Sequence, residues 1–274
     1  MIKTNELIKR ILVAIIGVPI IVLLSLYGKI PFLLLITGIM IISLGEFHTF
    51  TSVKNKTLYT IMGTITILLI NLDVYSYSGV HVPILLTMMI IGIIFVELFS
   101  TKDNSLINSS IPLLGTVYIL FFTYFIEIRE NIFSDIQPYS YGGLFILYIF
   151  ITLWTFDISA YFLGSIWGKH TLFARISPGK TWEGTIGGII IALPVAVIIN
   201  HYMNIHLSIY LCLGFSLIVC LTAQLSDLVE SMFKRNSHIK DSSKILPGHG
   251  GIFDRFDGFY LVAPISYLVI KIFI

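Results

Sequence analysis

The chain has 274 residues, of which 56% are apolar and only 12% charged, with a net charge of +2 and a mean hydropathy of +0.93. Soluble domains run at roughly 45–50% apolar and 25% charged residues, so the composition describes one polytopic membrane domain and excludes a pair of soluble ones. The small net charge, with no long basic run outside the loops, excludes a nucleic-acid partner. Cys212 and Cys220 both lie in an apolar run and read as reduced packing residues, not as a disulfide or a metal pair.

Apolar runs of the length that crosses a bilayer core fall near residues 11–27, 31–50, 58–73, 80–99, 111–127, 143–163, 185–201, 207–225 and 259–274. The expected fold is therefore an all-α polytopic membrane protein with about nine transmembrane helices. Lys9 and Arg10 ahead of the first run imitate a signal peptide, but no small-residue cleavage site follows, so the run reads as a retained helix. Nine spans put 14 of the 17 Lys and Arg residues on one side and leave Lys29, Arg129 and Lys271 on the other. The positive-inside rule then places the N-terminus and every motif-bearing loop in the cytoplasm.

The chain changes character near residue 140. Residues 1–140, about five spans, have short and chemically plain loops; Glu46 and Glu97 read as interfacial carboxylates with water close by. Residues 141–274 form the expected catalytic region, with motif loops at 164–184 and 226–258. Asp157 lies inside the sixth span, where an ionisable group is costly and usually functional. It starts a helical run of Asp157, Tyr161, Gly164 and Gly168 that ends in Lys169 and His170. Small residues on such a face serve either close helix contact or backbone approach to a ligand.

Next comes Arg175 to Gly184. Ser177-Pro178-Gly179 reads as a turn, and the helix after it should begin near Thr181 with Glu183 in its first turn. Lys180, Thr181 and the free amides of that helix start would cradle an anion. The glycine spacing and preceding strand of a Walker A loop are missing. An ordinary capped loop anchored by Trp182 is the plain alternative.

The last polar segment begins at the end of the eighth span. Gln224, Asp227, Glu230, Ser231 and Lys234 recur at three- and four-residue steps and so share one stripe of a helix. Between Ser231 and Asp257 the chain packs five Lys or Arg residues, three aspartates and the side-chain-poor run Pro247-Gly248-His249-Gly250-Gly251. Backbone amides in such a bend approach a phosphate or sugar closely. Mg²⁺ takes oxygen ligands, typically one or two carboxylates with substrate phosphates and water. Asp227 and Asp254 sit at opposite ends of this segment, each beside a membrane helix, and a helical hairpin would bring them together. Topology charges alone explain the lysines but not three aspartates, a His-Gly-Gly and Asp157 in one region.

Ser231-x-x-Lys234-Arg235-x₄-Lys240-Asp241 followed by Pro247-x-His249-Gly250-Gly251-x-x-Asp254-Arg255-x-Asp257 resembles the signature of the phosphatidate cytidylyltransferases. The Asp157-x-x-Ala160-Tyr161-x-x-Gly164 and Ser177-Pro178-x-Lys180-Thr181-x-Glu183-Gly184 segments resemble that family too, so the resemblance covers the C-terminal half. Two positions depart from it: Gly179 stands where a lysine is expected, and Ser226 where glycine usually precedes Asp227.

The resemblance implies transfer of a cytidylyl group from CTP to phosphatidate, with pyrophosphate released, for phospholipid synthesis. It implies Mg²⁺ held by Asp227 and Asp254, with Asp241 and Asp257 beside it or on a second cation. Lys234, Arg235, Lys240 and Arg255 would grip phosphates. Lys180 and Thr181, with Ser177, Glu183, Asp157, Tyr161, Glu230, Ser231, Gly250 and Gly251, would surround the substrates, and His249 would contact the nucleotide or stabilise its turn. A homodimer in the bacterial cytoplasmic membrane, in contact with its lipids, is the implied setting. Two rivals stay open on the residues alone. A CTP-dependent polyprenol or lipid kinase needs similar groups, and a transporter also carries polar residues in its spans, though usually near the midplane.

Overall fold

A computed structural model describes residues 4–51, 53–100, 104–245 and 250–274. Its elements are α1 Thr4–Tyr27, α2 Lys29–Phe50, α3 Lys56–Tyr77, α4 Val82–Leu98, α5 Ser105–Leu120 and α6 Tyr124–Glu130. They continue with α7 Tyr139–Trp167, strands β1 Thr171–Phe173 and β2 Ser177–Thr181, α8 Trp182–Tyr202, α9 Ile209–Asn236 and α10 Phe259–Phe273. Among the described residues six helical stretches are long and apolar enough to cross a membrane: 29–50, 56–77, 105–130, 139–167, 182–202 and 209–236. Shorter apolar helices cover 15–27, 82–98 and 259–273. Each expected span thus has a helix on it. The fifth is interrupted by a 3₁₀ turn at Phe121–Thr123, which joins α5 to α6.

The all-α expectation needs one amendment, a two-stranded antiparallel hairpin of β1 and β2 with Thr171 opposite Thr181 and Phe173 opposite Ser177. Ser177-Pro178-Gly179 is therefore strand, and the turn lies earlier, where the Ile176 amide donates to the Phe173 carbonyl at 3.1 Å. Proline is tolerated there because a two-stranded ribbon is all edge, and an edge strand need not donate at every residue.

The centre of the bundle is α7, whose Phe145, Ile146, Tyr148, Ile149 and Phe150 are all buried. It packs most extensively against α8, where Gly184 and Gly188 lie against the Ala160 and Phe156 backbone. Those glycines, with Gly164, are therefore sites of close helix approach. At one end of the bundle Arg129, buried on α6, donates to the Ser25 carbonyl at 2.6 Å and the Leu26 carbonyl at 2.8 Å. That satisfies carbonyls left over at the end of α1 and docks α1 beside α7. The hairpin, the end of α9 and the start of α10 gather at the opposite end. Cys212 and Cys220 are buried free thiols.

Candidate active site

Segments far apart in sequence meet around one cavity of about 1070 Å³. From α7 come Asp157 and Tyr161, from the hairpin and α8 Lys180, Thr181 and Thr185, and from α9 Gln224 and Asp227. Asp254, Arg255 and Asp257, between α9 and α10, complete the polar wall. The rest of the wall is mostly apolar, with Val18 and Ile21 of α1, Leu35 of α2, Trp154 of α7, and Ile252, Phe256 and Phe259 around the start of α10. The cavity thus offers both charged groups and hydrocarbon surface.

Helix α9 runs unbroken to Asn236, so the polar stripe predicted from its spacing lies on one face. Asp227 and Glu230 meet Asp257, which the packing of α10 on α9 delivers from the neighbouring segment. One ligand oxygen from each of these three lies within 4.8 Å of the others. Lys180 forms an ion pair with Asp227, and Ser231 Oγ donates to Asp227 at 3.4 Å. Burial, and then the Asp227 and Asp157 carboxylates, hold the Asp257 carboxyl well above the usual range. A bound cation relieves repulsion of that kind.

The helical hairpin was expected to pair Asp227 with Asp254, but Asp254 is otherwise engaged. Its Oδ1 accepts from Lys234 Nζ at 2.9 Å, and its Oδ2 accepts from the Ser242 amide at 2.9 Å and the Gly251 amide at 2.8 Å. Burial pushes this carboxyl up, yet the Gly251 amide and the Lys234 ammonium outweigh it and hold the group below the usual range. Its position, three residues before Asp257 across a turn of 3₁₀ helix, sets it beside Lys234 and Glu230, and the close three-carboxylate group is completed by Asp257 instead. Gly250 has φ +81°, and a Cβ at Gly250 or Gly251 would collide with Asp254 or with the groups around Gly251. This is why the pair is glycine.

The cations divide similarly. Lys234 is buried between Glu230, at 2.7 Å, and Asp254, so it joins two carboxylates. Arg235 donates to the Ile176 carbonyl at 3.2 Å and the Ile239 carbonyl at 2.9 Å, which ties the hairpin turn to the end of α9. Lys240 and Asp241 are exposed and do not line the cavity, whereas Arg255 does. Thr181 caps α8 by accepting from the Gly184 amide at 3.2 Å, as its position predicts. Glu183 turns away and accepts from the Lys169 and His170 amides and the His170 ring, so it braces the hairpin. Ser177 pairs with Phe173 outside the cavity wall. His249 lies outside the described residues.

Sequence reasoning passed over three contributors. Thr185 donates to Gln224 at 3.0 Å across the cavity wall. Ser226 is buried and donates to the Asp257 carbonyl, while the Leu261 amide donates to its Oγ at 3.2 Å. Glu46 is buried, as is Glu97 against Tyr59, so neither carboxylate is the wet interfacial group expected. A carboxylate inside an apolar span was the available signal for Glu46.

The model of the cytidylyltransferase family matches residues 8–273. The chain belongs to that family. Among its relatives, the phosphatidate cytidylyltransferase of Staphylococcus aureus is 32% identical over 266 residues, which cover 95% of this chain and 98% of the relative. The proteins of the same name from Staphylococcus epidermidis and Staphylococcus haemolyticus are 32% and 34% identical with the same coverage. Within the cytidylyltransferase family the two departures now have a place. Gly179 faces open space at the cavity wall, where a longer side chain would fit. Ser226 supplies a hydroxyl that fastens α9 to the backbone of Asp257.

Proposed function

We propose that this chain transfers the cytidylyl group of CTP to phosphatidate, forming CDP-diacylglycerol and releasing pyrophosphate. The observation that carries the reading is one cavity whose wall combines carboxylates and cations with a large apolar surface from membrane helices. A phospholipid acid with two acyl chains and a soluble nucleotide together need such a site. The phosphate of phosphatidate is already a nucleophile. One of its oxygens bonds to the α-phosphorus of CTP, the bond from that phosphorus to the bridging oxygen breaks, and the electron pair leaves with pyrophosphate. No protein nucleophile is required, so positioning and charge supply the catalysis.

The three carboxylates of Asp227, Glu230 and Asp257 are hard oxygen donors, a set that fits Mg²⁺. When bound, that ion neutralises charge on the triphosphate and on the departing pyrophosphate. Lys180 and Arg255 line the same wall and offset phosphate charge directly. Lys234 and Asp254 hold Glu230 in place, while the Trp182 and Gly184 amides at the start of α8 are spent on the His170 carbonyl and the Thr181 hydroxyl, so the helix start presents Lys180 rather than free amides. Nine crossings with the N-terminus in the cytoplasm, in a bacterial cytoplasmic membrane, agree with the Lys and Arg asymmetry. A homodimer is part of the same reading.

The test uses purified protein in detergent with CTP labelled at the α-phosphate, phosphatidate and Mg²⁺. Label should enter a lipid product in step with pyrophosphate release and depend on phosphatidate. Release of labelled CDP in the presence of a polyprenol, with none in lipid, would instead make the protein a kinase.

A further inference from the structure

Glu46, on α2, is 4% exposed and accepts four hydrogen bonds, from partners 196 to 207 residues further along the chain. Its Oε2 accepts from Ser242 Oγ at 3.0 Å and the Phe253 amide at 2.8 Å. Its Oε1 accepts from Ser243 Oγ at 2.6 Å and the Ile252 amide at 3.1 Å. Among the described residues no lysine or arginine pairs with it, so its charge is balanced by oriented neutral donors. A buried carboxylate held this way is costly unless each donor stays in place. The arrangement therefore fixes a position.

What it fixes is the chain on both sides of residues 246–249. Ser242, gripped through its hydroxyl, donates its amide to Asp254; Gly251, where an added Cβ would collide with Glu46 and Ser242, donates its own. Asp254 holds Lys234, and Lys234 holds Glu230, one of the three clustered carboxylates. Phe253 is fully buried beside Phe47 and Phe50, with ring centroids 6.0 and 5.9 Å away, so α2 also anchors the loop by packing. We infer that Glu46 is a positioning residue of the catalytic centre, a clamp from the second membrane helix that sets Ser242, Ser243 and residues 251–254 against α9 and so orients Glu230. This rests on the cytidylyl-transfer reading above for its kinetic consequence, but not for its structural one.

Glu46→Gln is the deciding variant. An amide keeps the shape, but its NH₂ cannot accept from the Ile252 or Phe253 amide. Two readouts apply: amide hydrogen exchange of peptides covering 242–255, and the separation of kcat from KM in the labelled-transfer assay. The expected result is exchange at 242–255 faster by about tenfold or more with α7 and α8 unchanged. It should come with kcat lower by about tenfold or more and KM for both substrates within about twofold. Exchange and turnover like the parent protein would overturn the inference. So would faster exchange spread evenly over all helices with kcat per folded molecule unchanged, since that is a general stability effect. If Glu46→Gln fails to fold, the Ser242→Ala/Ser243→Ala pair removes two of the four bonds and leaves the charge. It should show the same localised exchange and kcat loss, and failure to do so overturns the clamp. A parent protein that folds but transfers no cytidylyl group sinks the proposed reaction, while exchange still decides the clamp.

Discussion

Asp227 and Asp254 carry the same side chain and do opposite work. Asp254 has its oxygens committed to Lys234 and two backbone amides, whereas Asp227 and Asp257 each place one oxygen within 4.8 Å of the other and of Glu230. Asn in place of Asp227 or Asp257 should therefore lower turnover by more than about 100-fold, as loss of a ligand to the proposed cation would, and leave thermal stability in the absence of Mg²⁺ nearly unchanged. Asn in place of Asp254 breaks a buried charged network and should cost about 3 kcal/mol of stability as well as activity. Its pH dependence has a definite sign. The Asp254 carboxyl is held below its ordinary value in the folded protein, so its contribution is complete above the unfolded Asp value of about 3.9 and is lost as pH falls through the folded one. Thermal unfolding of parent and variant should accordingly differ most at neutral pH and converge in strong acid; a gap that widens on acidification contradicts the assignment. Both aspartates were visible as candidates in the sequence, because acids beside membrane helices are rare. Which of Asp254 and Asp257 meets Asp227 was not visible, since both lie against α9 and the 3₁₀ turn sends Asp254 to Lys234 and Asp257 to Asp227 and Glu230.

At the scale of the element, the hairpin between α7 and α8 is an arm that presents Lys180 to Asp227. Its strands are too short to be stable alone. Arg235 holds its turn, Glu183 holds its base, and the Trp182 amide donates to the His170 carbonyl at 2.9 Å where the strands close. The cap at Thr181 then hands the chain to α8. Thr181→Ala should lose about 1 kcal/mol, whereas Thr181→Ser keeps an oxygen for the Gly184 amide and should lose only a few tenths. Thermal unfolding of the two variants in one detergent separates the cap from the side chain's bulk; equal losses would deny the hydroxyl its role. The cap was legible because a threonine with an acid two residues on is a local signal. The strand was not. Pro178 and Gly179 are turn residues by propensity, and only pairing with Thr171–Phe173 makes them strand.

At the scale of the whole molecule, the sequence pattern located every helix because bilayer-length apolar runs need no tertiary information. It could not show that the plain N-terminal half reaches into the site, since the partners of Glu46 lie some two hundred residues away. The same long-range closure makes the carboxylate triad a fastening between elements: Asp227 and Glu230 belong to α9, and Asp257 to the segment entering α10. In the unfolded chain these groups do not form a site. A cation that binds the folded triad therefore stabilises the fold by mass action, about 2.7 kcal/mol at one hundred times its dissociation constant. For a protein of this size that corresponds to several degrees in Tm. Titrating Mg²⁺ into chelator-treated protein without substrates should raise Tm in a saturable way. Asp257→Asn, which removes the ligand contributed by the second element, should abolish the rise, and Lys240→Ala, outside the cavity wall, should leave it intact. An equal rise in all three proteins would mean that the ion acts through general ionic strength, and that the triad does not bridge α9 to α10 through a metal.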